Sequence, residues 1–394
     1  MTTIAINLAQ HRGFSFPFGV GSQPTAWECP VVPFIYAAMM KLAGGATLHA
    51  ATLIVYLQVI AGAIGVTLYW LIVRRLTDRN PGRFAPWLSP VVAAVVCLWP
   101  PSIYSVTTLW YFVWQELALA LFLLLAMRWA EQPGAQRAAL AGISGGVLAL
   151  VNVTPIPIVL IAIAFVAAIL RRNGNSLRSP AIALLCFATV IAPWLARNAL
   201  VFHDLVPLRS NTGYEIFQGN NAIECIREPF DAPHPATQKQ EFKLYTQLGE
   251  IQYCSYSLHR AASYMRAHPL QTMRRIGDRI YITWLTDLSD HWVSNDETPW
   301  WQASTRYKLR FLLSAMLVVA SATTFLWGLI RRRFGSLPYA PMIAVILILL
   351  PFPHYLTLAD PEYTSTFRML VAITSLCMLA SRVNVAEPAG HQSI

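Results

Sequence analysis

Arg197, Arg209 and Arg368 are the residues best placed for chemistry in this sequence, because each stands at or just beyond the end of a long apolar run. There a guanidinium fork takes two oxygens of a phosphate at once, whether on a substrate or on a lipid headgroup. Asn198, Asn211 and Asn220 lie nearby with Gly213, in a stretch without hydrophobic periodicity. Asparagine amides both donate and accept, and glycine permits positive φ, so such a loop suits a phosphate or a sugar. Glu116 is the unusual acid: near the end of an apolar run, an unpartnered charge costs about 3 kcal/mol. Its role reads as structural or substrate-orienting before catalytic. Asn152, at another such end, reads as a hydrogen bonder between helices.

The elements that must position these residues are membrane helices. Of 394 residues, 56% are hydrophobic and only 12% charged, whereas about a quarter are charged in a soluble domain. The expected fold class is an all-α polytopic membrane protein with about nine transmembrane helices and one large external segment between the sixth and seventh. Apolar segments suited to span lie at residues 49–73, 86–104, 112–127, 138–152, 155–170, 180–195, 311–330, 338–352 and 367–380. Residues 33–42 are too few to span and fit an interfacial helix or the start of the first span. The corresponding division is an external N-terminal segment, 1–48, then transmembrane helices, 49–195. An external segment with an interfacial helix, 196–308, more transmembrane helices, 309–382, and a cytoplasmic tail, 383–394, complete it.

Charge sets the orientation. The formal net charge of +10 comes from arginines grouped at the ends of apolar runs: Arg74, Arg75, Arg79 and Arg83; Arg128 and Arg137; Arg171, Arg172 and Arg178; Arg331, Arg332 and Arg333; Arg382. That is the pattern of cytoplasmic topology signals, and it argues against nucleic-acid binding. The alternate loops at 104–111, 153–154 and 353–366 contain no Lys or Arg and are expected outside. Residues 1–22 lack the apolar core of a signal peptide. Within the external segment, residues 269–284 predict a helix with Leu270, Met273, Ile276, Ile280 and Trp284 on one side, and Arg274, Arg275, Asp278 and Arg279 on the other. The apolar stripe is expected against the bilayer or the membrane helices. Strongly hydrophobic runs are absent from this segment, so no self-contained core is expected in it.

Six cysteines are scattered singly, which excludes a zinc site of the usual spacing. Cys225 and Cys254 share the polar segment and are candidates for a disulfide if it faces an oxidising compartment. No P-loop, HExxH or GxSxG setting is present.

Residues 192–221, APWLARNALVFHDLVPLRSNTGYEIFQGNN, contain Pro193, Trp194, Arg197, Asn198, Pro207, Leu208, Arg209, Asn211, Gly213 and Asn220. Residues 24–33 read PTAWECPVVP. With Gln115-Glu116 and residues 264–269, these resemble the GT-C superfamily of polyprenol-phosphate-sugar-dependent glycosyltransferases, related to dolichyl-phosphate-mannose protein mannosyltransferases and bacterial lipid A sugar transferases. The resemblance covers most of the chain. It implies transfer of a sugar from a polyprenyl-phosphate donor to a lipid, glycan or protein acceptor, on the non-cytoplasmic face of a bacterial inner membrane.

Such transfer needs a carboxylate to deprotonate the acceptor and cations to offset charge on the departing phosphate. The resemblance offers Glu28, between Trp27 and Pro30, and Glu116 as the acids. It offers Arg197, Asn198, Arg209, Asn211, Asn220, His354 and Arg368 as a donor-binding set, with the arginines converging on one external cavity and Glu116 near its wall. No motif implies a cofactor, and a divalent metal is left open. The partners implied are the polyprenyl-phosphate sugar and membrane lipid, with no nucleic acid. In the family pattern a first helix and an acidic loop stand upstream of the position matched by Ile6-Asn7-Leu8. Their absence from this sequence is expected to mean either that they precede Met1 in a longer protein or that this relative lacks them. A transporter or flippase of a lipid-linked or small polar substrate, and an inactive relative, are the rival expectations.

Overall fold

Apolar runs of this length leave no water to satisfy their backbone, so helices, which bond every N–H and C=O internally, are the expected outcome. The computed structural model describes residues 1–78, 85–223, 233–285, 305–337, 339–359 and 361–380. The described residues form helices and turns with no strand; the one antiparallel bridge joins Ser15 to Pro24 in the N-terminal loop. A short helix α1 (Thr2–Ala9) and a loop lead to α2 (Val31–Leu42). Then come α3 (Leu48–Asp78), α4 (Ala85–Leu98), α5 (Pro100–Thr107), α6 (Phe112–Glu131), α7 (Ala135–Val151), α8 (Ile156–Arg172) and α9 (Arg178–Phe202). A polar region carries α10 (Thr212–Gly219), α11 (Lys239–Leu248), α12 (Glu250–Ala267) and α13 (Pro269–Leu285). The chain closes with α14 (Thr305–Ile330), α15 (Ala340–Leu349), α16 (Phe352–Leu356) and α17 (Pro361–Ala380).

Every apolar segment expected from the sequence falls on helix, and α3, α6 and α9 are long and apolar enough to cross a membrane. Segment 86–104 is broken at Trp99 into α4 and α5, and segment 338–352 runs from α15 into α16. Close packing of α7 on α9 depends on small residues. A Cβ on Gly142 would lie 2.1 Å from the Ala183 carbonyl oxygen, and one on Gly146 would lie 2.6 Å from Val190 Cβ, so their i, i+4 spacing lets the two backbones approach.

Two local expectations are corrected. The apolar segment 180–195 does not mark the end of its helix: α9 runs on past Pro193 to Phe202 and stops at His203, whose φ is 51°. The extra turns are held from outside, by Trp194 Nε1 donating to the Leu208 carbonyl (3.0 Å) and by Arg197 and Asn198 bonding to neighbouring loops. Residues 212–219 form α10, not loop; Asn211 stands at its N-cap and donates from Nδ2 to Glu215 Oε1 one turn on, at 2.7 Å. In α13 the arginine side packs inward: Arg275 and Arg279 are 1% and 0% exposed, while Leu270 and Met273 are 86% and 65% exposed and Trp284 packs edge-on to Phe367.

The polar region also has a core of its own. Trp27, Tyr214, Phe217, Tyr245 and Tyr253 pack together without any hydrophobic run to announce them. Single aromatic residues from the N-terminal loop and three helices supply the burial instead. Cys254 joins this cluster as a buried free thiol; Cys225, its expected partner, lies outside the described residues.

Candidate functional site

A buried carboxylate holds the site's frame. Glu250 opens α12, and its Oε1 accepts from the Ala26 N–H and from Ser210 Oγ, both at 2.7 Å. Its Oε2 accepts from Tyr245 Oη at 3.0 Å and from Thr25 Oγ1. The Ser210 N–H also donates to the Ala26 carbonyl at 2.9 Å. These bonds lay residues 25–28 alongside residues 209–211, so Arg209 meets Trp27 and Glu28 across the junction. Arg209 Nε donates to the Trp27 carbonyl at 3.0 Å.

Arg209 then stands between two acids. Its Nη2 lies 3.6 Å from Glu28 Oε2 and 3.5 Å from Glu215 Oε1, both longer than the about 2.8 Å of a committed charge-assisted bond. Burial opposes the guanidinium charge, but Glu28 and Glu215 more than offset it and hold Arg209 above its ordinary range. Glu28 is buried, and among the described residues its ion-pair partner is Arg209 alone. Asn211 Nδ2 donates to Glu215 Oε1 at 2.7 Å and fixes that second acid.

A cavity of about 310 Å³ opens over this ion cluster. One wall is aromatic: Trp27, Phe18, Tyr214 and His234, with the Trp27 ring centroid 5.0 Å from Tyr214 and 4.9 Å from Phe18. Burial lowers the pKa of His234 to about 4, so its ring is neutral at pH 7, and its Nδ1 accepts from the Ala236 N–H at 2.8 Å. The opposite wall comes from Trp110 and Tyr111 at the start of α6, Thr154 after α7, and His354 and Thr357 on and after α16. Gln218 closes one end; its Nε2 is buried with no hydrogen-bond partner among the described residues. Such a donor, unsatisfied and lining a cavity, is available to a ligand.

The contact between α10 and the segment after α16 is very close. A Cβ on Gly219 would lie 1.9 Å from the Thr357 carbonyl oxygen, so only glycine lets these backbones meet. Asn220 Nδ2 donates to the Leu356 carbonyl at 2.7 Å. Arg279 donates to the carbonyls of Gly219 and Tyr355 from the other side.

The structure therefore brings Glu28, Arg209, Asn211 and His354 to one cavity and sends the other named residues elsewhere. Arg197 binds the carbonyls of Thr25 (2.7 Å) and Phe14 (3.0 Å) and packs over Trp194, bracing the N-terminal loop. Asn198 accepts from Arg197 and donates to the Pro207 carbonyl. Asn220 is the strut to Leu356 described above. Arg368 is buried and lines a small separate cavity with Trp284, Val318 and Phe367. Glu116 accepts from Thr366 Oγ1 at 3.3 Å and lines a separate cavity. The expected convergence of three arginines thus reduces to Arg209, because depth along the bundle does not fix lateral position. Glu215, Tyr214, His234, Gln218 and Glu250 were not expected. Of these only Glu215 had a local signal, its i, i+4 spacing from Asn211, which holds it in the structure.

No group of three or more His, Cys, Asp or Glu able to hold a metal occurs among the described residues. Comparison of the chain with protein-family models, with curated proteins and with solved structures gave no match.

Proposed function

We propose that this chain is an integral membrane glycosyltransferase that moves a sugar from a polyprenyl-phosphate donor to a lipid, glycan or protein acceptor. The site is the cavity over Arg209, on the non-cytoplasmic side of a bacterial inner membrane. About nine helices span the bilayer in this reading, with α10 to α13 outside. The observation that carries it is the placement of one guanidinium between two carboxylates, neither closer than 3.5 Å to it, beside an aromatic wall and at the end of an apolar helix bundle. Such a site suits a head that is part phosphate and part sugar, while the apolar helices suit the lipid tail.

The chemistry follows from the loose hold on Glu28, whose carboxylate lies 3.6 Å from the Arg209 guanidinium. Glu28, with no tight partner, takes the proton of the acceptor hydroxyl as the acceptor oxygen bonds to the anomeric carbon. The bond from that carbon to the phosphate oxygen breaks, and the phosphate leaves with the electron pair. Once protonated, Glu28 no longer holds Arg209, whose charge turns to the departing phosphate. Tyr214 and Trp27 give the sugar ring an apolar face, and Gln218 Nε2 supplies a donor to its hydroxyls.

The test is transfer from a polyprenyl-phosphate sugar in proteoliposomes. Glu28→Gln is expected to lower turnover about 10²- to 10⁴-fold with the fold intact. Full transfer by this variant would overturn the assignment of the base. Movement of the lipid-linked sugar across the bilayer without transfer would support the transporter reading instead.

A further inference from the structure

A second cavity, of about 220 Å³, lies between α3, α4, α5 and α6 and shares no lining residue with the first. Its lining is apolar apart from Tyr69, Glu116, Cys97, Ser102 and Ser105, and Ser105 Oγ already donates to the Ser102 carbonyl at 2.8 Å. The Tyr69 side chain is 1% exposed, and its hydroxyl has no hydrogen-bond partner among the described residues. Glu116 is 7% exposed, with a single hydrogen bond among the described residues, from Thr366 Oγ1. Among the described residues no Lys, Arg or His lines the cavity. Its rim includes Val59 and Ile103, 48% and 47% exposed, continuous with exposed Tyr56, Ile60 and Ile64 on α3.

We infer that this cavity binds a neutral lipid alcohol dissolved in the membrane, entering sideways between α3 and α5. Its hydroxyl oxygen accepts from Tyr69, its hydroxyl proton is donated to Glu116, and its chain lies along Gly62 and Gly65. The head is assigned by elimination of the other lipid chemistries. A phosphate would meet a carboxyl and no cation, at a depth where unpaired charge is expensive. An ammonium would pair with Glu116 but leave the Tyr69 O–H without an acceptor, whereas one hydroxyl satisfies the Tyr69 donor and the Glu116 acceptor together. The route is assigned by the rim, where exposed Val59, with Tyr56, Ile60 and Ile64 beside it, belongs to α3, a helix long enough to cross a bilayer. The inference requires α3 and α6 to lie in the membrane; it does not require sugar transfer.

The experiment uses the full chain in nanodiscs and a diazirine-bearing dodecanol, with labelled peptides mapped by mass spectrometry. The methyl ether and the phosphate monoester of the same probe serve as competitors. Labelling is expected on α3 and α5, displaced by unlabelled dodecanol and poorly by the ether or the phosphate. Tyr69→Phe and Glu116→Gln should each reduce it about fivefold, the factor for one lost hydrogen bond. A Cβ on Gly65 meets nothing within 4 Å, so Gly65→Leu fills the cavity without a clash at Cβ and should abolish labelling while the protein still folds. That variant decides the matter if Tyr69→Phe or Glu116→Gln proves unstable. Equal competition by the phosphate, or labelling unchanged in Gly65→Leu, would overturn the inference.

Discussion

At the scale of single residues, the largest structural demand falls on Glu250. Its carboxylate answers four donors from residues 25, 26, 210 and 245. Glu250→Ala would leave the Ala26 N–H and three hydroxyls without that acceptor inside a nearly dry core. Because buried unsatisfied donors cost about 1–3 kcal/mol each, and hydroxyls rotate to find some relief, a loss of about 3 kcal/mol is expected. Glu250→Gln, which keeps one acceptor oxygen, should lose less; thermal unfolding in detergent compares the two. Nothing in the sequence singled out Glu250, since its partners are 40 to 225 residues away apart from Tyr245. Glu28 and Arg209 stand far apart in sequence, and the structure brings them within 3.6 Å of each other. Arg197 was placed with them because a guanidinium that braces two backbone carbonyls looks, in sequence, like one that grips a phosphate.

His234 gives a pH prediction at the same scale. Its pKa is lowered by burial from 6.5 to about 4 in the folded chain. Below pH 6.5 the unfolded state therefore binds a proton that the folded state refuses, and stability falls as pH drops towards 4. Above 6.5 both states are neutral at this residue and its contribution is constant. Melting temperatures at pH 7 and pH 4.5 should differ more in the native chain than in His234→Gln, which retains an acceptor for the Ala236 N–H. An equal drop in both would show that His234 is not the group responsible.

At the scale of elements, the existence of the helices was legible and their faces were not. In α13 the period-3.6 pattern separates Leu270 and Met273 from Arg275 and Arg279 correctly, but it cannot say which side the rest of the molecule prefers. The carbonyls of Gly219, Asn221 and Tyr355 decide it, because buried acceptors left by turns need donors and two arginines on one face supply them. Contacts of backbone with backbone were equally hidden. Gly219→Ala would press a methyl into the Thr357 carbonyl, separating α10 from the segment after α16 and moving Gln218 and Thr357 apart in the cavity wall. A cost of about 1–3 kcal/mol is expected, together with lost ligand binding. A Gly219→Ala protein as stable as the native one would mean that this contact yields freely.

For the whole molecule, the two ends of the bundle differ in chemistry. α6 begins at Phe112, beside the cavity-lining Trp110 and Tyr111, and ends at Glu131, which pairs with Arg75 at the end of α3 and accepts from Tyr339 Oη before α15. One end of α6 therefore carries the cavity and the other belongs with an arginine group. Arg128 near the end of α6, and Arg171 and Arg172 at the end of α8, extend that group in sequence terms, while Thr154 at the start of the α7–α8 turn lines the cavity. If arginine-rich ends stay in the cytoplasm, the cavity is outside. The prediction is read by cysteine labelling in intact cells, in a background with the six native cysteines replaced. Asp204→Cys, at an exposed position just after α9, should react with a membrane-impermeant maleimide added outside. Arg332→Cys, exposed after α14, should react only once the membrane is opened. The reverse pattern would put the Arg209 cavity in the cytoplasm, where soluble nucleotide sugars would compete as donors and the polyprenyl-phosphate reading would lose its main support.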